Sequence, residues 1–122
     1  MNFFIKQGAT HPILKLRVID DGKNDKSSFN NLLRNAEIKF DMFDVKTGEY
    51  QVLQGTCNIV LRTKKENFRT DEFYIVYRFK EQDTSVIGKF EGVITINFKG
   101  AANQSLGKLI VPIREKLFIH II

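Results

Sequence analysis

The chain of 122 residues has no tryptophan, one cysteine, two prolines and two histidines. The lone cysteine, Cys57, rules out an intrachain disulfide, and its apolar, alternating surroundings mark it as a small buried hydrophobe. A β domain of this size made for an oxidising compartment more often carries a disulfide, so synthesis in a reducing cytoplasm is expected. His11 and His120 have no His or Cys companion at ligand spacing, which removes the common zinc patterns. No apolar run approaches membrane-spanning length, and Met1 to Ile5 is too short for the core of a signal peptide. Ser27, Ser28, Ser85 and Ser105 lack the setting of an activated nucleophile. The glycines around Phe90 precede a strand pattern rather than the helix a phosphate loop needs. The expectation is a protein that is not an enzyme, with no cofactor, no metal and no membrane partner.

What the chain does have is alternation. In Gly88 to Phe98, the residues Phe90, Gly92, Ile94, Ile96 and Phe98 fall on one face and Lys89, Glu91, Thr95 and Asn97 on the other. A period of two with one apolar face is the pattern of a half-buried strand. The same pattern covers Ile13 to Asp20, with Leu14, Leu16 and Val18 inward. In Ala36 to Asp44 it sets Ala36, Ile38, Phe40 and Met42 against Glu37, Lys39, Asp41 and Phe43. Strands are also expected from Tyr50 to Leu53, Gly55 to Arg62, Glu72 to Phe79, Lys108 to Val111 and Leu117 to Ile122. Asp20 to Lys26 reads as a polar turn, Ser27 to Leu33 as a single helical turn, and Lys80 to Ile87 and Lys99 to Gly107 as loops. Helical spacing persists nowhere. Short strands with turn signals roughly every ten residues point to a β-sandwich or a small barrel.

Charge and length narrow the class. The length suits one domain, with residues 1–12 as an N-terminal arm and 13–122 as the folded body. Lys and Arg exceed Asp and Glu by 19 to 14, a formal net charge of +5. The densest basic stretch, Arg62 to Arg69, holds one aromatic residue. A single-strand nucleic-acid platform interleaves several with its cations, so nucleic acid is not the expected partner. Asp20, Asp21 and Asp25 lack the spacing and closing Glu of an EF-hand calcium loop. Two features stand out as contact surfaces. The arm carries Phe3, Phe4 and Ile5 in succession, and the last strand is apolar on both faces, with Phe118, His120 and Ile122 opposite Leu117, Ile119 and Ile121. That pattern suits either a central strand covered on both sides or a strand with one face against a neighbouring subunit. Phe3, Phe4, Ile5, Phe118 and Ile122 are therefore the candidate interface residues, because large exposed apolar patches mark contacts. The arm is expected to be removable, through residue 8, without unfolding the body.

The order of the segments resembles a known family. Val18-Ile-Asp-Asp-Gly-Lys23, then Leu33 to Asp44 with Thr47-Gly48, is similar to the start of the N-terminal immunoglobulin-like domain of tailed-phage baseplate upper proteins. Tyr77-Arg-Phe79, Asp83-Thr84, Gly88 to Phe98 and Leu109-Ile-Val-Pro112 continue the likeness, which spans residues 13–122. The resemblance implies an all-β, immunoglobulin-like antiparallel β-sandwich of about seven strands, with Phe79 and Phe90 as core aromatics on adjacent strands. It implies a structural role in a virion, the partners being capsid, fibre, tail or baseplate proteins, with self-association. In the family this domain usually anchors a longer chain. Here the sequence ends with it, so an assembly piece is expected rather than a receptor-binding one. A nucleic-acid-binding β-barrel and a sugar- or cell-surface-binding sandwich are the alternatives.

Overall fold

The computed structural model describes residues 1–18, 33–62 and 72–122. These form nine strands: β1 (Asn2–Ile5), β2 (Leu14–Val18), β3 (Glu37–Asp44), β4 (Tyr50–Thr56), β5 (Asn58–Arg62), β6 (Glu72–Tyr77), β7 (Gly88–Lys99), β8 (Ser105–Val111) and β9 (Leu117–Ile121). They build a six-stranded sheet in the order β1-β9-β7-β3-β4, with β8 also on β7, and a three-stranded sheet in the order β2-β6-β5. The protein is an all-β sandwich. The expected turn at Asp20 to Lys26, the residues of the helical turn before Leu33, the acidic Asp20–Asp25 cluster and the basic residues 63–69 lie outside the described residues.

Strand β7 is the spine of the larger sheet. Its Phe90 to Asn97 pair antiparallel with β3 on one side; on the other, Gly88 to Gly92 pair with β9 and Ile94 to Lys99 with β8. So β8 and β9 lie end to end along one edge of the same strand. The inward row reads as the alternation requires. Phe90, Ile94 and Ile96 of β7, Ile38, Phe40 and Met42 of β3, and Leu117, Ile119 and Ile121 of β9 are all at most 3% exposed. Leu14, Ile75 and Tyr77 face them from the smaller sheet, with Leu33 and Phe79 completing the core.

Several expectations are corrected. Residues 2–5 are not an arm but a strand paired parallel to β9, with Ile5 opposite Ile121. The larger sheet is therefore mixed rather than antiparallel. Ile5 is 2% exposed, so removal of residues 1–8 would take out a core side chain together with an edge strand. The stretch Gly55 to Arg62 is not one strand: Thr56 pairs with Lys39 in the larger sheet and Asn58 with Val76 in the smaller. The chain changes sheets at Cys57, whose N–H is held by the Ile38 carbonyl at 3.0 Å. Alternation continues unbroken through such a corner, which hides it from a pattern reading. Phe79 and Phe90 are both buried, but β7 carries Phe90 while Phe79 follows β6 of the opposite sheet. Finally, Lys80 to Ile87 is not a plain loop, since Glu81–Thr84 forms a 3-10 turn.

That turn ties the end of β6 to the segment after β1. The Tyr77 hydroxyl donates to Asp83 Oδ2 at 2.7 Å, and the Lys80 N–H donates to the same oxygen at 2.9 Å. Thr84 is fully buried and its hydroxyl donates to the Ala9 carbonyl at 2.8 Å, while the Gly8 N–H donates to the Thr84 carbonyl at 3.0 Å. Burial first, and then the bond to Asp83, raises the Tyr77 phenol well above the ordinary tyrosine range. A buried carboxylate with two donors is satisfied; without them it would be a costly buried charge.

Gly92 shows how tightly side chains from the neighbouring strands β3 and β9 close over β7 within the larger sheet. A Cβ there would lie 2.9 Å from Phe40 Cε1 and 3.1 Å from Leu117 Cδ2. Gly92→Ala is therefore expected to lower the unfolding free energy by about 1–3 kcal/mol through overpacking, read as a shift in urea midpoint at unchanged slope. An unshifted midpoint would mean that the Phe40 ring yields freely.

Candidate docking surface

The alternation that buries one row of β9 turns the other row outward. Phe118, His120 and Ile122 share that outer row. Residue pairing sets Asn2 and Phe4 of β1 beside Phe118 and His120, with Glu91 and Lys89 of β7 on their other side. The Phe4 and His120 rings stack at 4.6 Å with an interplanar angle of 15°. His120 Nε2 lies 2.8 Å from Asn2 Oδ1, which fixes the imidazole from its edge. Lys89 Nζ sits 4.2 Å from the Phe118 ring centroid, within range of a cation–π attraction. Lys116 Nζ reaches Glu91 Oε1 at 3.5 Å. On the far side of β7, Phe43 and Tyr50 meet edge to face at 5.7 Å.

The five candidate interface residues separate by strand direction. Phe4 and Ile122 are 56% and 58% exposed, and Phe118 is half-buried on the same face. Phe3 and Ile5 point the other way. Ile5 is core, and Phe3 is half-buried and stacks on Phe79 at 5.6 Å. Three consecutive strand residues cannot share a face, so the structure removes Phe3 and Ile5 from the surface set. It adds His120, Lys89 and Asn2. Period two from Phe118 reaches His120, but nothing local in the sequence announces that the two ends of the chain pair.

A concavity lies between the start of β3 and the end of β7. This open cleft of about 540 Å³ is lined by Asn35, Lys39, Thr56, Cys57, Lys99 and Asn103, among others. Lys39 Nζ is engaged by Glu37 at 3.6 Å and Thr56 at 3.3 Å. Cys57, at its edge, is buried, and desolvation pushes its thiol up to about 12, with Lys39 opposing and Asp41 adding to the rise. A thiol so raised is a poor nucleophile at neutral pH, since the thiolate is the reactive form. Among the described residues no group of three His, Cys, Asp or Glu side chains is placed to hold a metal.

Protein-family models, curated proteins and solved structures give no match to this chain.

The raised Cys57 value has a consequence for stability. Its folded value, about 12, lies above the ordinary 9.0, so the protonated thiol's contribution is complete below the lower value. That contribution is lost as pH rises from there towards the upper one, where the unfolded chain ionises first. The urea midpoint of the native protein is expected to fall across this range, and to fall less in Cys57→Val. Parallel curves for the two proteins would show that the thiol has no part in the alkaline loss.

Proposed function

We propose that this chain is a non-enzymatic structural component of a tailed-phage virion, with an immunoglobulin-like sandwich that acts through protein–protein contacts. Capsid decoration, the socket of a head or tail fibre, and a baseplate adaptor all fit this reading, with capsid, fibre, tail or baseplate subunits as partners. The observation that carries it is the outer face of β9 and β1, where Phe4, His120, Phe118 and Ile122 form an apolar patch at the sheet surface. Such a patch is more readily stabilised against a neighbouring subunit than in water. The ordered likeness of residues 13–122 to the baseplate-protein domain supplies the kind of assembly.

One observation favours a nucleic-acid-binding reading: Lys89 lies against Phe118 on the same face as the Phe4–His120 stack. Stacking platforms for single strands combine aromatic rings with cations in this way. Glu91, paired with Lys116, stands beside Phe118, and a face that mixes a carboxylate with its cations favours a protein partner over a phosphate backbone.

The test uses Phe4→Glu combined with Ile122→Glu, both at strongly exposed positions. With the native gene in place, purified particles are expected to contain the chain in fixed stoichiometry. With the double variant they are expected to lose it, while the isolated variant keeps the native circular-dichroism spectrum. Native particles without the chain, or full incorporation of the variant, would contradict the proposal. Tight, steeply salt-dependent binding of a labelled oligonucleotide would support the other reading.

A further inference from the structure

Among the described residues, β1, β4 and β8 each leave one edge of the larger sheet unpaired. β1 is four residues long. The pairing of β4 shifts register on both sides of Met42, and Gln54 takes a φ of 56°. Short and distorted edges resist the addition of further strands. β8 is seven residues long and is distorted only at its start, where the register with β7 shifts between Phe98 and Lys99 and Gly107 takes a φ of 121°; Lys108 to Val111 pair regularly with β7. Beyond that irregularity Lys108 and Ile110 share the face of Asn97 and Thr95, and Leu106 and Ile110 are 53% and 50% exposed. Just beyond the strand, Ile113 is 76% exposed.

The neighbouring strand defines where an added strand would lie. β1 covers β9, and at Met1 its amino group bonds to the Lys116 carbonyl at 2.9 Å. From there the same sheet edge continues as β8, and the position in line with β1 has no strand among the described residues. The cations along this stretch are also uncommitted: Lys99, Lys108 and Arg114 form no ion pair among the described residues, whereas Lys116 is held by Glu91.

We infer that β8 receives an extended segment of another protein as an added strand, and that this segment is apolar with a carboxylate placed opposite Lys108. Main-chain hydrogen bonds supply the attachment, and the alternating side chains supply the selection. The charge argues for a different protein rather than a second copy. Two β8 strands paired antiparallel at fullest overlap would set Lys108 against Lys108, and like charges directly opposite are destabilising. The inference does not depend on the virion reading.

The test uses capped peptides of the same length as β8, alternating valine and threonine, with either glutamate or lysine at the centre. Backbone amide shifts of the full chain are followed by NMR during titration. The glutamate peptide is expected to shift the amides of Ser105–Val111 saturably and to bind roughly five- to ten-fold more tightly than the lysine peptide. In Lys108→Glu, an exposed substitution, the order of the two peptides is expected to reverse. Equal binding of both peptides, absence of binding, or shifts centred on Phe4 and Phe118 would overturn the inference. So would β8 amides that shift with protein concentration alone.

Discussion

The structure depends on one contact between the sheets. Phe40 of β3 meets Tyr77 of β6 at a ring-centroid distance of 4.5 Å, and Phe79 closes on both rings nearly edge on, at 6.1 Å and 5.1 Å. Aromatic pairs of this kind contribute about 0.5–1.5 kcal/mol each beyond the area they bury. Two glycines make room for it. Gly92 leaves space for Phe40, and at Gly55 a Cβ would fall 2.7 Å from Tyr77 Cε2. The polar end of Tyr77 is completed by Asp83 rather than by water. The same residue thus joins the sheets through its ring and the 81–84 turn through its hydroxyl.

From that joint the rest of the molecule follows. The 81–84 turn holds the segment after β1 through Thr84 and Gly8, and Gln51 of β4 donates to the Gln82 carbonyl at 2.9 Å. With its connection fixed, β1 lies against β9 and sends Phe3 and Ile5 inward. Phe4 is left outside, beside His120. The outer patch is thus set by geometry: the inner aromatic cluster accepts one face of β1, and the pleat commits the other to the surface.

Much of the sandwich was legible because its strands are half-buried. Period two in β3 and β7 assigned Ile38, Phe40, Met42, Phe90, Ile94 and Ile96 to the core, and the structure buries all six. A glycine in the otherwise apolar inward row of β7 is compatible with either a bulge or a close approach, and the structure shows the close approach at Gly92. What escaped the sequence was long-range. The β1–β9 pairing joins residues at opposite ends of the chain, and no local pattern encodes it. The corner at Cys57 keeps the alternation intact while the partner strand changes. Applied strictly, the pleat rule alone would have separated Phe4 from Phe3 and Ile5. The surface set was therefore partly readable in the sequence; its companions Lys89 and Asn2 needed the register.

The sandwich is held from within, with a thiol kept protonated at the rim of its polar cleft and the Phe4, His120 and Phe118 rings gathered on one sheet. The most direct measurement is a reconstruction of the assembled particle at a resolution that traces side chains. The account predicts the Phe4, His120 and Phe118 face pressed against a neighbouring subunit, with the Phe40–Tyr77 joint unchanged. A particle in which that face is open to solvent, or from which this sandwich is missing, would contradict it.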